Sequence, residues 1–229
     1  MAVMLLSVDV EMDVPPYGRT YHGVEEGLSF ITDSLLRHDA EATFFFTYNV
    51  AHRYPEAVEN VVAQGFEVGC HGYNHENFKK VRNKEEILRK VTAYLREFDK
   101  VQGFRAPYLK IKKDIYPILE DLGYVYSSSV RGKGVQRHGK VLEIPVSRHR
   151  NISLGMSRMR VLGRRLIPEP NGEVVSLYMH PWEFTKLRLP VPKNILAFRC
   201  GGYAKKLLED VLSSGYEFMT YREYARNLL

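Results

Sequence analysis

Cysteine is scarce: Cys70 and Cys200 are the only two in 229 residues. That excludes a disulfide framework and suits a reducing compartment. No apolar run approaches the roughly 18 residues of a membrane-spanning helix, so no transmembrane segment is expected. The apolar opening, Val3 to Val8, has no basic stretch before it and meets Asp9, Glu11 and Asp13 at once. It does not read as a secretory leader, and the expected location is cytoplasmic. Tryptophan occurs once, as Trp182. Zinc-finger spacing, RNA-binding aromatic motifs and basic heptad helices are all missing, which leaves nucleic acid without support as a partner.

What remains is the make-up of an ordinary soluble enzyme, 45% hydrophobic and 26% charged. The length fits one α/β domain spanning residues 1–229. The net charge of +6 is not spread evenly. Arg148, Arg150, Arg158, Arg160, Arg164 and Arg165 fall in one stretch, and Lys110, Lys112 and Lys113 in another. The plain reading is a solvated basic face. The sharper one is an anionic substrate or carrier, such as a lipid-phosphate-linked sugar.

A junction recurs along the chain. A helix-like segment ends in glycine, an aromatic residue follows and a strand-like run begins, at Gly65-Phe66, Gly123-Tyr124 and Gly215-Tyr216. Glycine just past a helix end commonly takes the left-handed conformation. The segments feeding the junctions have helical spacing: Ala57, Val58, Val61 and Val62 share one face, and Leu207, Leu208, Val211 and Leu212 another. A further helix is expected from Lys84 to Phe98. Between helices lie short apolar runs, Val3 to Val8, Ala42 to Thr47, Phe66 to Gly69, Val141 to Val146, Val174 to Met179 and Glu217 to Thr220. They do not alternate, which suits strands buried on both faces of a parallel sheet. Alternating strands and helices imply an α/β fold, here a closed or nearly closed barrel. Arg131 to Asn171 reads as one long irregular excursion.

In such folds chemistry collects at the C-terminal ends of the strands. Asp9, Glu11 and Asp13 follow the first strand. His71 and His75 follow the third apolar run. Arg105 stands before Pro107 and Tyr108, and His180 before Pro181, Trp182 and Glu183. Carboxylates, three histidines and an arginine make up a metal-assisted hydrolytic site. The H-x3-H pair can point at one ion, and two histidines with one carboxylate form a common catalytic zinc set. Asp9 and Glu11, two apart on a strand, face the same side, so one can bind the ion while the other takes a proton. An idle carboxylate after four apolar residues would be costly to bury. Arg105 can hold a carboxylate ionised. Trp182 is either core or a platform for a sugar face. Cys70 points away from its neighbour His71 and reads as a small buried residue.

Taken together these motifs resemble the NodB-homology polysaccharide deacetylases over nearly the whole chain. Ser7-Val8-Asp9-Val10-Glu11 stands where that family has its paired carboxylates. Ala42-Thr43-Phe44-Phe45 resembles its second strand, and Glu67 to His75 its metal-histidine motif. Phe104-Arg105-Ala106-Pro107-Tyr108 matches the arginine-proline motif, and Glu143 to Val146 and Tyr178 to Trp182 resemble the later strands. The resemblance implies an irregular (β/α)7 barrel and one divalent metal ion per chain, usually zinc. It implies Asp9 as general base, His71 and His75 as ligands, His180 as general acid, Arg105 as the group positioning Asp9, and the Tyr108 backbone N–H as an oxyanion donor. The implied substrate is an N-acetylated sugar or an anionic glycoconjugate.

Two departures stand out. Val10 occupies the place of a second adjacent aspartate, so Glu11 is the expected metal carboxylate, with Asp13 in reserve. Ser127-Ser128-Ser129 stands where many members have an aspartate that supports the arginine. Two rivals remain: hydrolysis of a cyclic amide or ureide by the same groups, and a carbohydrate-binding barrel that has lost catalysis.

Overall fold

The computed structural model describes residues 2–149, 151–187, 189 and 193–229; Arg150 of the basic cluster lies outside them. In chain order the strands are β1 (Val3–Val10), β2 (Thr43–Phe46), β3 (Glu67–Cys70), β4 (Gly103–Phe104), β5 (Tyr126–Ser127), β6 (Gln136–His138), β7 (Val141–Glu143), β8 (Arg148–His149), β9 (Ile152–Ser153), β10 (Val174–Met179) and β11 (Glu217–Phe218). The helices are α1 (Leu28–Arg37), α2 (Tyr48–Arg53), α3 (Pro55–Ala63), α4 (Lys84–Leu95), α5 (Ile115–Asp121), α6 (Met156–Leu162), α7 (Gly202–Leu212) and α8 (Tyr221–Arg226). Contacts divide the chain into two compact units, Met1–Ala42 with Ser147–Met219, and Thr43–Val146 with Thr220–Leu229.

In the first unit β1 is central. It pairs in parallel with β10, Val3 opposite Val174 through Val8 opposite Met179, and with β11 through Val3 and Met4. Met4 to Val10 are buried without a break. This is why the run shows no alternation: a strand covered on both faces takes apolar residues at every position. The helices follow their periodicity, with Leu28, Ile31 and Leu35 of α1 and Ala204, Leu207, Leu208 and Val211 of α7 turned inward.

In the second unit β2, β3, β4, β5 and β7 form a parallel series, and β6 closes against β7 antiparallel. Phe44, Phe45, Phe46, Val68 and Phe104 are fully buried. The expected helix Lys84 to Phe98 ends at Leu95, where the chain turns toward Val101. The three junction glycines have φ of +87°, +75° and +82°, a conformation that a side chain would strain. The excursion from Arg131 is more ordered than its composition suggests, because it contains β6 to β9 and α6.

Glu67 ties the second unit together. Its carboxylate accepts from the Thr43 hydroxyl on β2 (2.6 Å), the Tyr126 hydroxyl on β5 (2.7 Å) and the Arg222 backbone N–H on α8 (2.9 Å). Burial raises its pKa above the usual carboxylate value, against the lowering effect of those hydrogen bonds and of Arg222. A raised folded-state pKa means that the protonated form is the one the fold favours. Its contribution is therefore complete below the ordinary value and is lost as pH rises through the folded value. The stability difference between wild type and Glu67→Gln, from urea midpoints, is expected to shrink between pH 4 and pH 8 as a result. A gap that widens with pH would show that the carboxylate is favoured ionised.

Candidate active site

The acidic and acid-donating residues belong to the first unit. Asp9 is on β1 and Glu11 just past it, both buried. His180 follows β10 directly, so the parallel register that sets Val8 beside Met179 brings their following residues to the same end of the two strands. The His180 Nε2 lies 3.6 Å from Glu11 Oε1. On its other side the ring donates from Nδ1 to Glu183 Oε2 (3.2 Å), and the His180 backbone N–H donates to the same oxygen (2.9 Å). Pro181 permits the tight turn that returns Glu183 to His180.

Glu183 is fully buried and holds more than the imidazole. Its Oε1 accepts from Ser157 Oγ (2.6 Å) and Arg160 Nε (3.1 Å). Burial opposes its ionisation, but His180, Arg160 and Ser157 outweigh that and lower its pKa. Burial also pulls His180 toward the neutral form. The hydrogen bond to Glu183 and the charges of Glu11, Glu183 and Asp9 overcome it, and the pKa is pushed up to about 9. These groups thereby favour the protonated form of His180.

Two residues of this unit sit differently from expectation. The Asp13 carboxylate, held in reserve as a ligand, is spent on its own loop: it accepts from the Thr20 hydroxyl (2.8 Å) and from the backbone N–H groups of His22 (2.9 Å) and Gly23 (2.9 Å). Trp182 is not an open sugar platform, being 6% exposed, with His180 stacked on it at 5.0 Å and the Arg160 guanidinium 5.5 Å from its ring centre. Its indole N–H is buried with no acceptor among the described residues.

The imidazole pair and the arginine belong to the second unit. His71 follows β3, and its Nδ1 donates to the Arg105 carbonyl (2.9 Å). A carbonyl can only accept, so the neutral ring carries its proton on Nδ1 and a lone pair on Nε2. His75, with φ +60°, lies 5.5 Å from His71 ring to ring and meets the Tyr108 ring edge-on at 4.3 Å. Tyr108 also has positive φ, +61°, a strained conformation for a residue with a side chain. Cys70 is buried, with its thiol pushed up to about 11 by burial.

Arg105 is fully buried. Within its unit the guanidinium donates to the Ser128 carbonyl (3.0 Å), the Ser128 hydroxyl (2.8 Å) and the Tyr221 hydroxyl (2.9 Å), and it lies 4.6 Å from the Phe45 ring centre. Thus Ser128 takes up a supporting place that the expected aspartate leaves open. Tyr221 and Glu183 were not singled out from the sequence. Tyr221 stands 116 residues from Arg105, and no local pattern links them. Glu183 had a signal: an acid three residues past a strand-ending histidine.

Residues 14–127 match the family model for polysaccharide deacetylase. Among curated proteins, a peptidoglycan-N-acetylglucosamine deacetylase of Bacillus cereus is 34% identical over 90 residues, 35% of this chain and 31% of that protein. The chain thus spans less than a third of the length of that relative. Among solved structures, a Mycobacterium smegmatis protein assigned to the polysaccharide deacetylases superposes with a TM-score of 0.75 at 18% identity, covering 99% of this chain and 89% of that one. The allantoinase Puue gives 0.70 at 16% identity, covering 98% and 89%. The pseudoenzyme BA3943 of Bacillus anthracis gives 0.63 at 18%, covering 97% and 65%. The fold is the α/β barrel of the deacetylase type expected from the sequence.

The electrostatics of His180 yield a direct test. Glu183→Gln removes the charged hydrogen-bond acceptor that does most to raise the imidazole pKa, so the His180 pKa is expected to fall from about 9, followed by NMR titration of the ring carbons. An unchanged titration would mean that Glu183 does not set it.

Proposed function

We propose that this chain, whose sequence and fold are those of the polysaccharide deacetylases, is a metal-dependent hydrolase that removes acetyl groups from N-acetylated sugars. The observation that carries this reading is His180. Its Nδ1 is held by the buried Glu183 carboxylate and its Nε2 faces Glu11, an arrangement that favours the protonated imidazole a departing amine requires.

The proposed ligands for a divalent ion are Glu11, His71 and His75, each of which offers one ligand atom. Two imidazoles and a carboxylate suit zinc and leave coordination open. His71 fits because the Arg105 carbonyl holds its Nδ1 proton and so turns Nε2 into the ligand atom. When bound, the ion supplies Lewis acidity and makes water nucleophilic near pH 7.

The chain's own groups carry the proton transfers. Asp9, at the end of β1, is the proposed base and takes the proton of the attacking water. Arg105, its donors fixed by Ser128 and Tyr221, is proposed to orient Asp9. The Tyr108 backbone N–H is the proposed donor to the developing oxyanion. As the C–N bond breaks, His180 delivers its Nε2 proton to the nitrogen. The Trp182 indole N–H, buried without an acceptor among the described residues, is a donor for a substrate oxygen.

Three variants test this scheme after reloading with zinc. Asp9→Asn is expected to lose about 10²–10⁴-fold in acetate release while binding the ion as wild type does. His75→Ala and Glu11→Gln are expected to lose the ion itself, read by elemental analysis. Substantial turnover by Asp9→Asn would sink the base assignment, and an ion retained by both other variants would sink the ligand set. Substrate consumed without acetate release would move the reading to ring opening.

A further inference from the structure

The basic stretches of the chain form a surface that the proposed reaction does not use. Residues 144–168 and 184–208 contain no aspartate or glutamate, yet hold twelve of the 33 lysines and arginines. The rest of the chain sets 21 cations against all 27 acids and is net acidic. Positive charge is thus gathered in two stretches, both in the first unit apart from residues 144–146.

The structure brings these stretches side by side. Arg160 of α6 is 3% exposed, and its guanidinium donates to the carbonyls of Leu196 (3.1 Å) and Phe198 and to Cys200 Sγ (2.9 Å). Arg199 donates back to the Arg160 carbonyl (3.4 Å). Around this seam large apolar side chains stand in solvent: Ile195 is 77% exposed, Val161 58%, Leu162 47% and Phe198 46%. A cleft of about 310 Å³, lined by Ile152, Arg158, Val161 and Leu162 among others, opens beside it. Arg158 lines the cleft, and Arg164, Arg165 and Lys193 of the same two stretches are exposed.

We infer that this face docks on an anionic lipid surface. Apolar side chains this exposed, on two segments that Arg160 joins, mark an interaction site. Cations without interspersed acids match a negatively charged layer, and apolar tips flanked by them match the boundary between headgroups and acyl chains. A second copy of the chain would present the same positive charge. A nucleic acid would engage the arginines and leave Ile195 and Val161 in water. No helix among the described residues is long and apolar enough to cross a membrane.

The test is co-sedimentation of the whole chain with vesicles of phosphatidylcholine alone or with about one third phosphatidylglycerol. Binding is expected only to the mixed vesicles, weakening as salt rises. The double variant Ile195→Ser, Phe198→Ser is expected to partition about tenfold or more weakly, and Arg164→Ala, Arg165→Ala to weaken binding at low salt. Both change exposed side chains, and circular dichroism checks that the fold is kept. No binding to the mixed vesicles, equal binding to both kinds, or full binding by the Ile195, Phe198 variant would overturn the inference. So would a self-association of wild type that this variant abolishes, because a second copy would then be the occupant.

Discussion

The buried carboxylate of Glu183 is the constraint on which the first unit turns. A carboxylate removed from water is stable only when it is paired and its lone pairs are filled. Here the filling is complete: Arg160 and Ser157 on one oxygen, the His180 ring and backbone on the other. Each partner is thereby fixed in turn. The His180 ring is held in one orientation, and Arg160, locked by its Nε, spends its remaining donors on the chain from Leu196 to Cys200. One buried carboxylate thus holds both the proposed acid and the arginine that fixes a segment 36 to 40 residues away from it in the chain.

The second unit solves the opposite problem, a buried cation. Arg105 is satisfied within that unit by neutral groups, namely the Ser128 carbonyl and hydroxyl, the Tyr221 hydroxyl and the faces of Phe45 and Tyr221. The serines are held in place from behind. Glu143 on β7 accepts from the backbone N–H groups of Ser129 (2.6 Å) and Val130 (3.1 Å), and the Ser129 hydroxyl accepts from the Ala106 backbone N–H (2.9 Å). Neutral acceptors orient the guanidinium without neutralising it. An aspartate at Ser128 would do both. A chain that uses serine here keeps more of the arginine's charge for the carboxylate it is proposed to serve.

Much of this was legible in the sequence because strong local rules applied. The unbroken apolar run from Val3 announced a strand covered on both faces. The glycine-aromatic junctions marked helix ends, and polar residues immediately past the strands marked the site. What was hidden depended on partners distant in the chain or on direction. Asp13 looked like Glu11, two residues on, but the loop through Thr20 and Gly23 folds back to consume its oxygens. Trp182 looked like a platform until Arg160 and His180 covered it. Tyr221, the first residue of α8, reaches Arg105 because Glu67 and Thr43 anchor the start of that helix.

The arginine-rich stretch shows most clearly why composition misleads. Six arginines between Arg148 and Arg165 look alike in the sequence, and a solvated basic face was the plain reading of all of them. Arg160 breaks that reading. It sits on the inward side of α6 with Met156 and Met159, whereas Arg158 and Val161 face out. Burying it joins α6 to the chain from Leu196 to Cys200, and both lie in acid-free stretches. Were Arg160 exposed like its neighbours, the basic residues would be scattered charge on separate loops. Because it is buried and bound to Glu183, one carboxylate holds both the His180 ring and the arginine that ties α6 to the segment carrying Ile195 and Phe198.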